Sequence, residues 1–319
     1  MNISFFLLFC YYIFVMIMKK IIKLILTLLI IFGCFYYLDE ITTYISKFLG
    51  NKPKVMISNP NEYYKKMDYE FVSDSKDFIP YSKEDLYDIF YSIFNRGYDT
   101  FTFYCPEEYK ECISDVQSIS DESSMITHIN NFVSPFNSYS NVKITCGISS
   151  GEVNIDVTKL YSKEDIDIIN KKIDEIIKST IKDDMDDDDK VLAIHDYIIN
   201  HTKYDVLREK GTSKYKSNTA YGALIEGYAV CGGYADAMSL FLDRFNIKNY
   251  KISTDTHVWN AIYINDNWLH LDLTWDDPVL ENSSQDTLLH KFYLIDTKKL
   301  EDYKITDHEY DKTIYSELS

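Results

Sequence analysis

Glycine and proline are scarce in this chain, ten and six of 319 residues, which excludes a collagen-like repeat. Six cysteines at this length are too few for a disulfide scaffold. Basic residues are outnumbered: 33 Lys and Arg stand against 50 Asp and Glu, for a formal charge of −17. A surface that acidic repels phosphate backbones, so nucleic acid is not an expected partner. The rest is an ordinary globular mix, 46% apolar and 26% charged, which excludes a wholly disordered chain. The length suits about two domains of roughly 100–200 residues.

The charge is uneven. Residues 1–50 hold Lys19, Lys20, Lys23 and Lys47 against Asp39 and Glu40, a net of +2, so the remainder carries −19. Two apolar runs, Ile3–Met18 and Leu24–Leu38, flank the first three lysines. Each ammonium at bilayer depth costs about 2.5–3.5 kcal/mol, so the two runs conflict as one span. A start at Met18 removes the conflict and leaves Met-Lys-Lys, one apolar stretch and an acidic flank. That pattern reads as an uncleaved membrane anchor with its basic end in the cytoplasm. Two alternatives are a cleaved signal and a lipoprotein with its lipid on Cys34, where Ile31-Phe32-Gly33-Cys34 is a partial processing box.

Residues 51–80 are polar, carry Pro53, Pro60 and Pro80, and read as a linker. The pentapeptide Tyr-Ser-Lys-Glu-Asp occurs at 81–85 and again at 161–165. Each copy places Ser three residues before Asp, ahead of helix-spaced apolar residues, and so predicts a capping box. Between them the patterns predict strands at Thr100–Tyr104, Val142–Cys146 and Glu152–Val157, and a helix near Glu122–Val133. Residues 81–160 are therefore expected to form a small α/β domain. From 161 helices dominate, with strands after Lys248. The run Asp183–Asp189 lacks the glycine and glutamate of a calcium loop and reads as carboxylates at a helix N-terminus.

Four of the ten glycines, Gly222, Gly227, Gly232 and Gly233, fall within twelve residues around Cys231. Met238, Phe241, Leu242 and Phe245 follow at helical spacing, which puts Cys231 at a helix start. There the unpaired amides and the dipole favour a thiolate, and glycines let the backbone approach a substrate closely. Residues 257–272, from His257 to Asp272, read as a β-hairpin turning at Asn265–Asn267. A two-residue loop at Asn265-Asp266 pairs Ile264 with Asn267 and Trp259 with Asp272. His257 and Asp272 then become diagonal neighbours on one face, about 7–8 Å apart at the backbone; a loop at Asp266-Asn267 keeps them on the same face, whereas a three-residue loop would put them on opposite faces. Cys231, His257 and Asp272 are thus the parts of a thiol nucleophile, its base and the group that orients the base. The Cys231 N–H is a natural oxyanion donor, and Tyr204 or Tyr221 could add a hydroxyl.

The motifs Gly-Tyr-Ala-Val-Cys-Gly-Gly-Tyr-Ala, His-Val-Trp-Asn and Trp-Leu-His-Leu-Asp-Leu-Thr-Trp-Asp-Asp-Pro resemble the bacterial transglutaminase-like superfamily. The segment Tyr197–Asp205 is also similar, so the resemblance covers about 190–300. It implies an α+β papain-like core, a helix-start nucleophile packed on an antiparallel sheet, with Cys231, His257 and Asp272 at the triad positions. Cross-linkers, peptidases, amidases and inactive members share that fold, which does not choose among them.

Competing assignments lie nearby. His270 shares the parity of Asp272, and Asp276 and Asp277 are further carboxylates past the hairpin register. A zinc site from Cys231, His257 and His270 lacks supporting spacing. No cofactor is called for. His195 and His201, six apart on a helix, make no metal pair. Trp259, Trp268 and Trp275 either wall an acyl-donor channel, as Trp259 and Trp275 would at the substrate site, or pack the core. Cys105, Cys112 and Cys146 permit a disulfide whose pairing spacing cannot choose. Together these readings give an outward-facing, membrane-tethered protein of a Gram-positive type of surface, with a catalytic domain at 161–319. Its expected activity is acyl transfer from a protein or peptide amide to an amine or water. The alternatives are a surface cysteine peptidase or amidase, and a catalytically silent binding scaffold.

Overall fold

A computed structural model describes residues 3–38, 55–278 and 288–318. Its first helix is Ile3–Tyr36, with Lys19, Lys20 and Lys23 in the middle. Among the described residues no helix is long and apolar enough to cross a membrane, so the expected anchor has no spanning helix in the structure. Leu24, Leu29 and Phe32 on that helix are exposed. Residues 39–54, with the acidic flank and Pro53, lie outside the described residues.

The chain then builds a mixed α/β body. Both repeated pentapeptides cap helices as their spacing predicts. Ser82 and Asp85 form a capping box on Lys83–Asn95, and Ser162 and Asp165 form one on Lys163–Thr180. Strands β1 (Thr100–Tyr104), β2 (Tyr139–Gly147) and β3 (Glu152–Lys159) make an antiparallel sheet in the order β1-β3-β2. The helix expected near residue 122 is Ser123–Asn130. The Asp-rich run ends in the helix Asp187–His201, where Asp186 is the N-cap and accepts the Asp189 N–H. Strands β4 (Lys203–Tyr204) and β5 (Tyr228–Ala229) form a short parallel pair ahead of the helix Cys231–Arg244. Strands β6 (Asn249–Ser253), β7 (Val258–Ile264) and β8 (Asn267–Leu271) complete a second antiparallel sheet.

The β7–β8 turn has the expected register. Ile264 pairs with Asn267, and Asn265 and Asp266 both take positive φ, 51° and 61°, as a type I′ turn requires. This sheet is buried on both faces. Trp259 and Ala261 enter one core with Phe132 and Tyr315, while Ile262 and Ile264 enter another with Met238 and Phe241. The first core also holds Leu86, Phe90, Phe103 and Ile155, so residues 81–160 share their interior with the second sheet.

The linker expectation is corrected for residues 55–80. Val72 and Phe78 are buried, and the Tyr69 hydroxyl donates to the Asn249 carbonyl at 3.0 Å. Lys65 Nζ donates to the same carbonyl and pairs with Asp243 at 3.0 Å. Prolines and surface-type composition marked this stretch as loose, but its aromatic side chains dock it. Cys105 and Cys112 form a disulfide, and Cys146 is free.

Candidate active site

Cys231 is the first residue of its helix, with Val230 as N-cap. The helix is buried from Gly233 to Leu242, including the expected Met238, Phe241 and Leu242, while Phe245 is partly buried. It is bolted to the hairpin by polar bonds. Asn260 Nδ2 on β7 donates to Ala235 O and Ser239 Oγ, both at 3.0 Å. Lys251 on β6 pairs with Asp236 inside the body.

The glycines around Cys231 serve the chain's own backbone. A Cβ on Gly222 would lie 2.5 Å from the Lys216 carbonyl oxygen, and one on Gly233 would lie 2.4 Å from that of Ser217. They admit the crossing segment at 216–219, whose Ser217 carbonyl accepts the Val230 N–H. The close approach expected for a substrate is thus occupied by protein at these two positions.

The structure brings the sulfur, the imidazole and the carboxylate together. The Cys231 thiol lies close enough to the His257 ring to help raise its pKa. The ring's Nε2 lies 2.6 Å from Asp272 Oδ2, which leaves Nδ1 for the sulfur. Burial alone would lower the His257 pKa. The charge and hydrogen bond of Asp272, with help from Cys231, overcome it and raise the value to about 10. Asp272 is fully buried, yet its bond to His257 and that ring's charge hold it well below the usual carboxylate range, and His308 adds to this. Cys231 itself is only partly buried.

Asp272 is satisfied at every side. Oδ1 accepts the Thr274 and Trp275 N–H groups at 3.0 and 3.2 Å, which caps the short helix Leu273–Asp276. Oδ2 accepts from His257 and, at 2.8 Å, faces His308 Nε2. His308 was missed from sequence. It lies 36 residues beyond Asp272 in a segment without periodicity, and only the tertiary fold returns it.

The competing residues take other work. His270 is buried, with Nδ1 accepting from Trp259 Nε1 and Nε2 facing Thr297 Oγ1, both at 3.1 Å. Burial and the neighbouring His308 charge push its pKa down to about 3. It is a structural bridge, and the zinc set with Cys231 and His257 is not assembled. Asp276 accepts the Lys291 and Phe292 N–H groups, and Asp277 accepts from Tyr234.

Trp259 corrects the channel-wall expectation. It is 1% exposed and stacks on His257 with centroids 5.5 Å apart, so it backs the ring from the core. Trp275 is partly exposed and sits edge-on to His257 at 6.5 Å, and Trp268 packs on Tyr250. Tyr204 lies on β4, half-buried against the second core. Tyr221 precedes the π-turn Gly222–Glu226, and the Lys216 ammonium covers its ring at 4.5 Å.

A thiol at a helix start, near an imidazole that a buried carboxylate orients, defines a cysteine-nucleophile type of site on a mixed α/β fold. Residues 174–273 match the family model of the transglutaminase-like superfamily, a span that contains all three residues. The resemblance read from the motifs is borne out. Among solved structures the chain is similar to a TGase at 15% identity, covering 49% of each chain with a TM-score of 0.31. It is also similar to a protein from Cytophaga hutchinsonii proposed to be a cysteine protease, at 16% identity and a TM-score of 0.26. That match covers 42% of this chain and 61% of the other. The chain thus spans about half and three-fifths of the lengths of these relatives. No curated protein matches it.

Proposed function

We propose that the chain is a cysteine-dependent acyl-transfer enzyme that forms a thioester on Cys231 from a protein or peptide amide. The observation that carries this reading is the His257 ring fixed 2.6 Å from the buried Asp272 Oδ2, with the helix-start Cys231 thiol within its electrostatic reach. A ring held protonated next to a sulfur favours the thiolate. The thiolate attacks the amide carbonyl carbon, and the Cys231 N–H, in the helix's first turn and outside its internal ladder, receives the oxyanion. The C–N bond breaks, His257 gives its proton to the departing nitrogen, and a thioester remains. An incoming amine then loses a proton to His257, attacks the thioester and releases the thiolate with a new amide bond. Water in place of the amine gives hydrolysis.

A cleft of about 660 Å³ flanks the site through Thr256 and Asp307, and Cys231 is not among its lining residues. Asp255, Asp307, Glu309 and Asp311 line it, a charge that suits a cationic amine acceptor. The apolar helix Ile3–Tyr36, with its exposed side chains, supports attachment to a lipid surface. The Cys105–Cys112 disulfide supports an oxidising location outside the cytoplasm. The acidic body speaks against nucleic acid as a partner.

The test offers a glutamine-containing protein with a labelled primary amine. Incorporation that disappears in Cys231→Ala supports transfer, and cleavage without incorporation assigns the site to hydrolysis. If neither occurs, the scaffold alternative stands. His257→Ala is expected to lower the rate by about 10²–10⁴-fold.

A further inference from the structure

A second group of ligand-type side chains converges away from the sulfur. His195 Nδ1 lies 2.9 Å from Asp196 Oδ1, and His290 Nε2 lies 2.7 Å from the same oxygen. The three ligand atoms all fall within 4.8 Å of one another. The imidazole centroids are 5.2 Å apart. His195 is completely buried, and its second nitrogen, Nε2, faces Asp276 Oδ2 at 3.3 Å. Asp276, also buried, accepts the Lys291 N–H at 2.8 Å and the Phe292 N–H at 2.9 Å. It therefore fixes the His195 ring and the segment that carries His290.

The donor count on His195 points to a cation. A neutral imidazole has one N–H, yet both nitrogens of this ring face carboxylate oxygens. Without a cation, a neutral ring can donate to only one of them and turns its other lone pair toward a carboxylate oxygen. A metal ion on Nδ1 relieves that opposition and leaves Nε2–H to donate to Asp276. Metal-binding imidazoles are commonly oriented by a buried carboxylate in this way. The surroundings are acidic: the Tyr293 hydroxyl donates to the Asp188 carbonyl at 3.2 Å, within the Asp-rich start of the helix that carries His195. The Tyr293 ring lies 5.2 Å from His195 and 5.9 Å from His290. Asp196 and His290 are partly exposed, so an ion has a route in and water has room to complete its shell.

We propose that His195, Asp196 and His290 form a binding site for a divalent first-row metal ion of the Zn²⁺ class, with Asp276 orienting His195. Two imidazoles and one carboxylate suit such an ion better than the all-oxygen shells of Ca²⁺ or Mg²⁺. A bound ion would tie the Asp187–His201 helix to the 288–292 segment, behind the turn that begins at Asp272.

Titration of the full chain carrying Cys231→Ala with zinc chloride, after chelator treatment, tests this without the competing thiol. The expected result is one saturable equivalent that excess Ca²⁺ does not displace. His290→Ala, at a partly exposed position, should abolish that equivalent with the metal-free melting curve unchanged. Asp276→Asn should weaken binding by about 10–100-fold. No saturable site, or an equivalent that survives His290→Ala, overturns the proposal. So does an equivalent lost only on His257→Ala, which would place the ion at Asp272.

Discussion

At the scale of single residues, the site turns on how many partners one buried carboxylate can serve. Asp272 caps a helical turn with one oxygen and meets two imidazoles with the other. Removing a hydrogen bond to a charged group costs about 1.5–3 kcal/mol. His308→Ala is therefore expected to destabilise the protein by that amount in urea unfolding, although no motif marks His308. The His257–Asp272 pair also sets a pH dependence. The Asp272 value is depressed from 3.8, so its contribution is present above that pH and lost as acid protonates it. The His257 value is raised from 6.5 to about 10, so its contribution is complete below 6.5 and lost as pH rises toward 10. Unfolding free energy measured against pH should show this contribution at full strength between about 4 and 6.5, and Asp272→Asn should remove it.

At the scale of elements, what was legible was local. The two capping boxes, the type I′ turn and the helix start at Cys231 follow from residues within a few positions of one another. Of the loop registers the turn residues allow, the two-residue one at Asn265-Asp266 is formed, and it puts His257 and Asp272 on one face. Illegible were the contacts that join elements: Trp259 behind His257, and the chain at 216–219 filling the glycine gaps. Periodicity reports burial of a face but not its neighbour. Among those joints is the pair between Lys251 on β6 and Asp236 on the Cys231 helix, 10% and 3% exposed. Leaving one buried charge alone costs about 3–5 kcal/mol. Lys251→Ala is expected to lose that much in chemical denaturation, and with it the alignment of the helix against the hairpin.

At the scale of the whole molecule, the expected division into linker, small domain and catalytic domain gives way to shared interiors. One core runs from Tyr69 through Phe132 and Trp259 to Leu318, so the segment with His308 closes over residues from both halves. Composition could not show this, because Tyr69, Val72 and Phe78 are isolated in polar surroundings and find partners only at a distance. The disulfide, by contrast, joins residues only seven apart in the chain, outside the segment that carries Cys231. Cys105→Ser with Cys112→Ser is expected to cost about 2–4 kcal/mol while leaving Cys231 alkylation unchanged. The whole assembly places one sulfur, and Cys146 and Cys231, free cysteines of the α/β body, allow its activation to be measured within a single chain. Burial raises the Cys146 pKa, whereas Cys231 sits against a ring held protonated. The decisive measurement is iodoacetamide labelling at pH ~6, mapped by mass spectrometry, well below the ordinary thiol pKa of about 8.5. The account predicts rapid modification of Cys231, slow modification of Cys146, and loss of the difference in His257→Ala. Equal, slow labelling of both thiols would contradict it.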